Sequence, residues 1–275
     1  MTKIKLALCQ MNVIDNKEDN VKTASLMIDE SVSKNADFIV LPEMFNCPYS
    51  NDKFIEYGEE EKNSYTLNKI SLLAKKNNVY ILAGSIPEKD NGKLYNTSYL
   101  FDKEGNIIAK HRKMHLFDID VKGKITFKES DVLTAGDSFT IAETDFGKIG
   151  IGICYDIRFP ELARVMVENG ALILFYPGAF NMTTGPAHWE LLFRSRALDN
   201  QVFCVGVAPA LNKDASYHSF GHSIIASPWG EIIAEASEKE NLILCEIDLD
   251  EIKKVREELP LLKNKREDLY EVIKK

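Results

Sequence analysis

Short apolar runs alternate with amphipathic stretches of helical period along nearly the whole chain, and this alternation restricts the fold more than any other feature. Residues 4–10 and 37–42 read as strands flanking a helix at 18–34, where Val21, Ala24, Ile28 and Val32 recur at helical spacing. A second helix at 66–77 (Leu67, Ile70, Leu73, Ala74) leads into the strand NVYILAGSI, and 94–101 and 106–113 pair across a turn at Lys103 to Asn106. A polar stretch with little periodicity follows at 114–137. The second half repeats the pattern: a strand from Lys148 to Ile153, a helix at 160–169 with Leu162, Val165 and Met166 on one face, and the strand ALILFYP. The helix at 186–199 is opened by Pro186 and turns Trp189, Leu192, Phe193 and Ala197 inward. Strands at 202–208, 221–226, 231–236 and 242–247 come next, with a turn at Ser227-Pro228-Trp229-Gly230. The tail, about 249–275, reads as helical, broken at Pro260 and packed at an interface. With no linker, repeat or low-complexity run, residues 1–275 are expected to form one α/β domain, its core largely parallel and its late strands partly antiparallel.

Charge and apolar content narrow the function classes. A formal net charge of -8 lacks the basic footprint that phosphates require, so no nucleic-acid partner is expected. No apolar run approaches the roughly 18 to 20 residues of a spanning helix, and Met1 to Gln10 reads as a strand rather than a leader, so the expectation is a cytoplasmic protein without a membrane partner. The five cysteines (Cys9, Cys47, Cys154, Cys204, Cys245) form no CxxC pair, and most lie in apolar runs where cysteine acts as a small buried hydrophobe.

Cys154 differs. It ends the apolar strand in GKIGIGICYDIRFPEL, six residues before the helix-opening Pro160. A nucleophile on a strand-to-helix turn is presented at the top of a sheet, beside backbone N–H groups able to receive an oxyanion. Taken alone, the spacing fits buried filler equally well. A thiol also needs a proton acceptor, since the thiolate is the attacking species. The histidines fall into no cysteine-protease pattern. His111/His115 and His218/His222 have the i, i+4 spacing of metal ligands on a helix, yet both pairs lie in strand or loop, where such residues sit about 13 Å apart; no metal is expected. Glu43, after the strand IVLP and near Phe45, is the alternative: burial raises a carboxyl toward the range of a general base. Lys113, ending IIAKHRK, offers an ammonium for developing negative charge.

Together, Leu41-Pro42-Glu43, His111-Arg112-Lys113 and Gly152-Ile153-Cys154-Tyr155-Asp156 resemble the three motifs of the nitrilase superfamily, in that family's order. Within it the likeness is to omega-amidases, supported by HLFDIDVKGKITFKES (115–130), YPGAFNMTTGPAHWELLFRSRALDNQVF (176–203) and HSIIASPWGE (222–231). The resemblance covers roughly 3–270. It implies a four-layer α-β-β-α sandwich, homodimers packed through α-faces, Glu43 as base, Cys154 as nucleophile and Lys113 as the cation at the tetrahedral intermediate. Glu129 matches a second glutamate that orients Lys113, and the Tyr155 backbone N–H is a second oxyanion donor. Nitrile-hydrolysing members carry Trp-Glu after the cysteine; Tyr155-Asp156 here favours amides. No cofactor is implied.

An omega-amidase must also hold a distal carboxylate. Arg158, four residues past Cys154, has the bidentate fork for it, with Phe180, Thr183, Thr184 and Tyr49 expected around the same pocket. The competing readings are an N-carbamoyl amidohydrolase or other aliphatic amidase, and a catalytically idle interaction module.

Overall fold

A computed structural model describes residues 2–270 and 272. The chain forms β1 (Lys3–Gln10), α1 (Lys17–Ser33), β2 (Phe38–Val40), α2 (Asn51–Tyr57), α3 (Tyr65–Asn77), β3 (Tyr80–Asp90), β4 (Lys93–Phe101), β5 (Ile107–Arg112), β6 (Asp118–Val121) and β7 (Ile125–Lys128). It continues with β8 (Thr140–Thr144), β9 (Gly147–Ile151), α4 (Pro160–Glu168), β10 (Ile173–Pro177), α5 (Gly185–Asn200), β11 (Phe203–Val207), β12 (Ile224–Ala226), β13 (Ile232–Glu235), β14 (Asn241–Asp248) and α6 (Asp250–Glu258).

Two six-stranded sheets result, ordered β14-β1-β2-β3-β4-β5 and β13-β12-β11-β10-β9-β8. Each has a parallel centre, β1-β2-β3 in the first and β9-β10-β11 in the second, with antiparallel strands at its margins. The side-chain period of two then builds four layers. Leu6, Leu8, Phe38 and Val40 of the first sheet meet Ile149, Ile151, Ile173 and Phe175 of the second. Phe38 stacks on Phe175 at 4.7 Å, each ring contributing about 2 kcal/mol by burial. The alternate residues Ala7, Cys9, Ile39 and Leu41 face α1 and α3, while Leu174, Tyr176 and Cys204 face α4 and α5. Central strands buried on both faces explain the unbroken apolar runs.

The helices begin where local chemistry directs. The Asn16 side chain accepts the Asp19 N–H at the start of α1, the Ser64 hydroxyl accepts the Leu67 N–H at the start of α3, and Pro160 opens α4.

Several expectations change. The stretch 114–137 holds the β6–β7 hairpin, and α2 and β8 are additional elements. The strand expected at 221–226 starts only at Ile224. Of the four late strands, β11 pairs parallel with β10, β12 and β13 are antiparallel, and β14 leaves for the other sheet, running antiparallel to β1 from Lys3↔Asp248 to Gln10↔Asn241. The tail is helical only through Glu258; Pro260 starts a run of turns, because its ring blocks helical hydrogen bonding, and residues 271 and 273–275 lie outside the described residues. Among the described residues no helix is long and apolar enough to cross a membrane.

Candidate active site

The functional side chains gather where strands of both sheets end. Glu43 stands three residues beyond β2, and its neighbour Met44 takes a left-handed φ of 51°. Ser85 holds that turn, its hydroxyl accepting the Met44 N–H at 3.0 Å and its carbonyl the Phe45 N–H at 3.2 Å. Gly84 allows β3 to pass: a Cβ there would lie 1.9 Å from the Leu41 carbonyl oxygen. Cys154 stands three residues beyond β9 at the head of a short 3-10 turn, with φ 47°. A left-handed non-glycine residue costs about 1–2 kcal/mol, so this turn is held from outside. Asp156 supplies that hold, its Oδ2 accepting the Ile153 N–H at 2.9 Å. Beyond β10, Gly178 leaves room for the nucleophile: a Cβ there would lie 3.1 Å from the Cys154 Cα.

Glu43, Lys113, Glu129 and Cys154 are all buried. The Lys113 Nζ donates to Glu43 Oε1 at 3.0 Å and to Glu129 Oε1 at 2.8 Å. Glu43 Oε1 also accepts from Asn96 Nδ2 at 2.8 Å, and Oε2 accepts the Ala179 N–H from the opposite sheet at 2.7 Å. Glu129 is anchored by the Phe117 N–H and the Tyr49 hydroxyl, both at 2.6 Å. Two carboxylates around one ammonium leave a surplus of one negative charge if all three are ionised. Burial pushes the Glu43 carboxyl up, with Lys113 opposing and Glu129 reinforcing that shift. Burial, then the Glu43 charge, holds the Cys154 thiol well above its usual range, while Lys113 pulls it down. Lys113 itself is raised: burial opposes its charge, but Glu129 and Glu43 outweigh that penalty. The arrangement is therefore a thiol and a carboxyl, each of raised proton affinity, beside a buried lysine.

Arg158 lies over the Phe180 ring at 4.6 Å and the Tyr155 ring at 5.5 Å, and its Nη1 sits 3.1 Å from His188 Nδ1. Burial lowers its proton affinity, against which a Cys154 thiolate would act. The rings of Tyr49, Phe127 and Tyr217 close over the site, Tyr49 lying 5.7 Å from Phe127 and 4.6 Å from Tyr217. A cavity of about 40 Å³, large enough for water, borders Glu43, Tyr49, Ala179, Tyr217 and Ser219 but not Cys154.

The structure thus gathers Glu43, Lys113, Cys154, Glu129, Tyr49, Tyr155, Arg158 and Phe180. Thr183 and Thr184, at the start of α5, give their N–H groups to Asn181 Oδ1 at 2.9 and 3.0 Å. Sequence reasoning missed Asn96, Tyr217 and the Ala179 N–H; none carries a local signal, since each arrives from a distant strand or loop. It also separated His111 from His115 by an extended-chain distance. The chain bends after β5, and both rings reach one carboxylate, that of Asp156, at 3.0 and 2.7 Å.

A carbon-nitrogen hydrolase family model matches residues 5–257. The chain belongs to that family. Curated relatives of this carbon-nitrogen hydrolase include the omega-amidase NIT2 of Xenopus tropicalis, 50% identical over 100% of this chain and 99% of its own, and that of Homo sapiens, 48% identical over 99% and 98%. Among solved structures, Saccharomyces cerevisiae Nit3, a member of branch 10 of the nitrilase superfamily, superposes with a TM-score of 0.89 at 42% identity, covering 96% of this chain and 97% of Nit3. The C. elegans NitFhit protein gives 0.90 at 33% identity, covering 99% of this chain and 67% of NitFhit.

Proposed function

We propose that this carbon-nitrogen hydrolase is an omega-amidase, converting the terminal amide of small dicarboxylate monoamides such as 2-oxoglutaramate, 2-oxosuccinamate or succinamate into the acid and ammonia. Full-length likeness to two omega-amidases supports the substrate class. The observation that carries the chemistry is the buried Lys113 ammonium shared between Glu43 and Glu129, with the Cys154 thiol facing Glu43.

In this reading Glu43 takes the Cys154 proton as sulfur attacks the amide carbonyl. Lys113 and the Tyr155 N–H, in the first turn of the 3-10 helix where donors lack helical acceptors, receive the oxyanion. Glu43 returns the proton to the departing amine, the C–N bond breaks, and ammonia leaves a Cys154 thioester. Water, deprotonated by Glu43, attacks the thioester, the C–S bond breaks, and the thiol re-forms with its proton. Arg158 is the partner for the distal carboxylate: a guanidinium between two rings, with no acidic side chain in ion-pair range among the described residues, is preset for a bidentate anion. Tyr49, Phe180, Thr183 and Thr184 belong to the same proposal as pocket residues. So do a single functional unit over residues 1–275, a cytoplasmic location, which five free cysteines suit, and a homodimer, for which Leu191 and Leu198 on α5 and the nearby Trp229 offer exposed apolar surface.

The test is ammonia release from 2-oxoglutaramate, succinamate and N-carbamoyl amino acids by wild type and Cys154→Ala. We expect turnover of the first two and none in the variant. Preference for N-carbamoyl substrates would reassign the enzyme within its family, and full activity of Cys154→Ala would end the thioester scheme.

A further inference from the structure

Asp156 lies two residues past Cys154 and has no place among the proton transfers above. Its side chain is fully buried, yet it holds four donors: His111 Nε2 at 3.0 Å and the Ile153 N–H at 2.9 Å on Oδ2, the His115 N–H at 3.0 Å and His115 Nδ1 at 2.7 Å on Oδ1. His111 and His115 bracket Lys113 symmetrically, two residues to either side. His111 is the fifth residue of β5, at the edge of the first sheet; Cys154 and Asp156 follow β9 of the second. His111 Nδ1 also meets Thr140 Oγ1 of β8 at 3.0 Å, so the imidazole bridges the two sheet margins.

This placement matters because the reacting groups are divided between the sheets. Glu43, Asn96 and Lys113 come from the first, Cys154 and Ala179 from the second. The Glu43–Ala179 bond registers the base against the second sheet; nothing among the hydrogen bonds of Lys113 does the same for the ammonium. We infer that Asp156 is a positioning residue, a buckle whose carboxylate sets the distance between the Lys113 ammonium and the Cys154 sulfur by clasping both flanks of the lysine to the nucleophile's turn. The side-chain length is part of the device, because one carboxylate must reach His111, His115 and Ile153 together. Asparagine fails in either orientation: each oxygen accepts a backbone N–H, Ile153 on one and His115 on the other, so an amide NH2 always faces a donor. The inference rests on Cys154 as nucleophile, and Cys154→Ala tests that separately.

The experiment compares Asp156→Asn, Asp156→Glu and His115→Ala with wild type, after melting temperatures establish that each folds. Steady-state constants are measured for succinamate, and iodoacetamide alkylation of Cys154 is followed by mass spectrometry against pH. A displaced ammonium gives a fall in kcat of about 10²-fold in Asp156→Asn with KM within about threefold, since an ångström of misplacement is worth that much. Asp156→Glu, charged but too long, loses about tenfold, as does His115→Ala, which keeps the backbone bond but loses the ring. Because Lys113 lowers the thiol's proton affinity and Asp156→Glu keeps the carboxylate charge, the alkylation midpoint moves to higher pH in Asp156→Glu. A purely structural role lowers the melting temperature and leaves kcat and the alkylation midpoint of the folded fraction where they were; that result overturns the inference. If Asp156→Asn does not fold, Asp156→Glu and His115→Ala decide, and wild-type kcat in both refutes it.

Discussion

Replacing Glu129 by glutamine alters the proposed base without touching it. The Oε1 atoms of Glu43 and Glu129 lie 3.0 and 2.8 Å from one Nζ, hence no more than about 5.8 Å apart. At an effective dielectric of about 20, two like charges at that separation repel by about 3 kcal/mol. That repulsion helps raise Glu43, and Lys113 opposes it. Glu129→Gln removes the repulsion and leaves Lys113 to Glu43 alone, so the proton affinity of the Glu43 carboxyl falls. Glu43 must be deprotonated to accept the thiol proton. The acid limb of kcat/KM, which reports this free-enzyme group, therefore moves to lower pH. On the plateau the base is weaker, but losing Glu129 also eases deprotonation of the Cys154 thiol, so the two changes partly cancel and kcat falls by no more than about tenfold. In either orientation the amide NH2 faces a donor, Lys113 and Tyr49 on one side or the Phe117 N–H on the other, which lowers the melting temperature by up to about 10 °C. The assay is coupled ammonia release between pH 4 and 9 at varied succinamate. An acid limb unmoved by Glu129→Gln, in a folded variant, would refute the electrostatic coupling.

Two further outcomes follow from the same geometry. Arg158→Ala raises KM for succinamate by about 10- to 100-fold, the worth of a charge-assisted bond, and leaves a neutral amide such as butyramide within about threefold; equal losses on both remove the assignment. Gly178→Ala places a methyl 3.1 Å from the Cys154 Cα and 3.3 Å from the Trp189 ring, so it lowers kcat by about tenfold and stability by about 1–3 kcal/mol, read by kinetics and urea unfolding.

The elements that escaped the sequence share a physical cause. The seven residues of α2 bury only Phe54 and Tyr57, too few turns for a period to show. Of β8 only Ala142 is buried, because the strand is a sheet edge. The β6–β7 hairpin does alternate, with Ile119, Val121, Ile125 and Phe127 half-buried, but its strands are only four residues long and none of the four is fully buried, so the period is too short to stand out in a polar stretch. The long central strands were legible for the opposite reason, burial on both faces.

Sequence by itself determined the α/β class, the order and near-boundaries of the central elements, and the Glu43, Lys113 and Cys154 motifs with their flanking residues. Those are local: period, capping and motif spacing are written along the chain. Tertiary structure alone decided that His111 and His115 share Asp156, and that Asn96 and the Ala179 N–H complete the cradle of Glu43. Such pairings depend on how distant stretches of chain meet across the core, from His115 and Asp156, 41 positions apart, to Glu43 and Ala179, 136 positions apart. A hydrogen bond over that separation has no periodicity to announce it, because its direction is set by the packing of Phe38 on Phe175 and their neighbours.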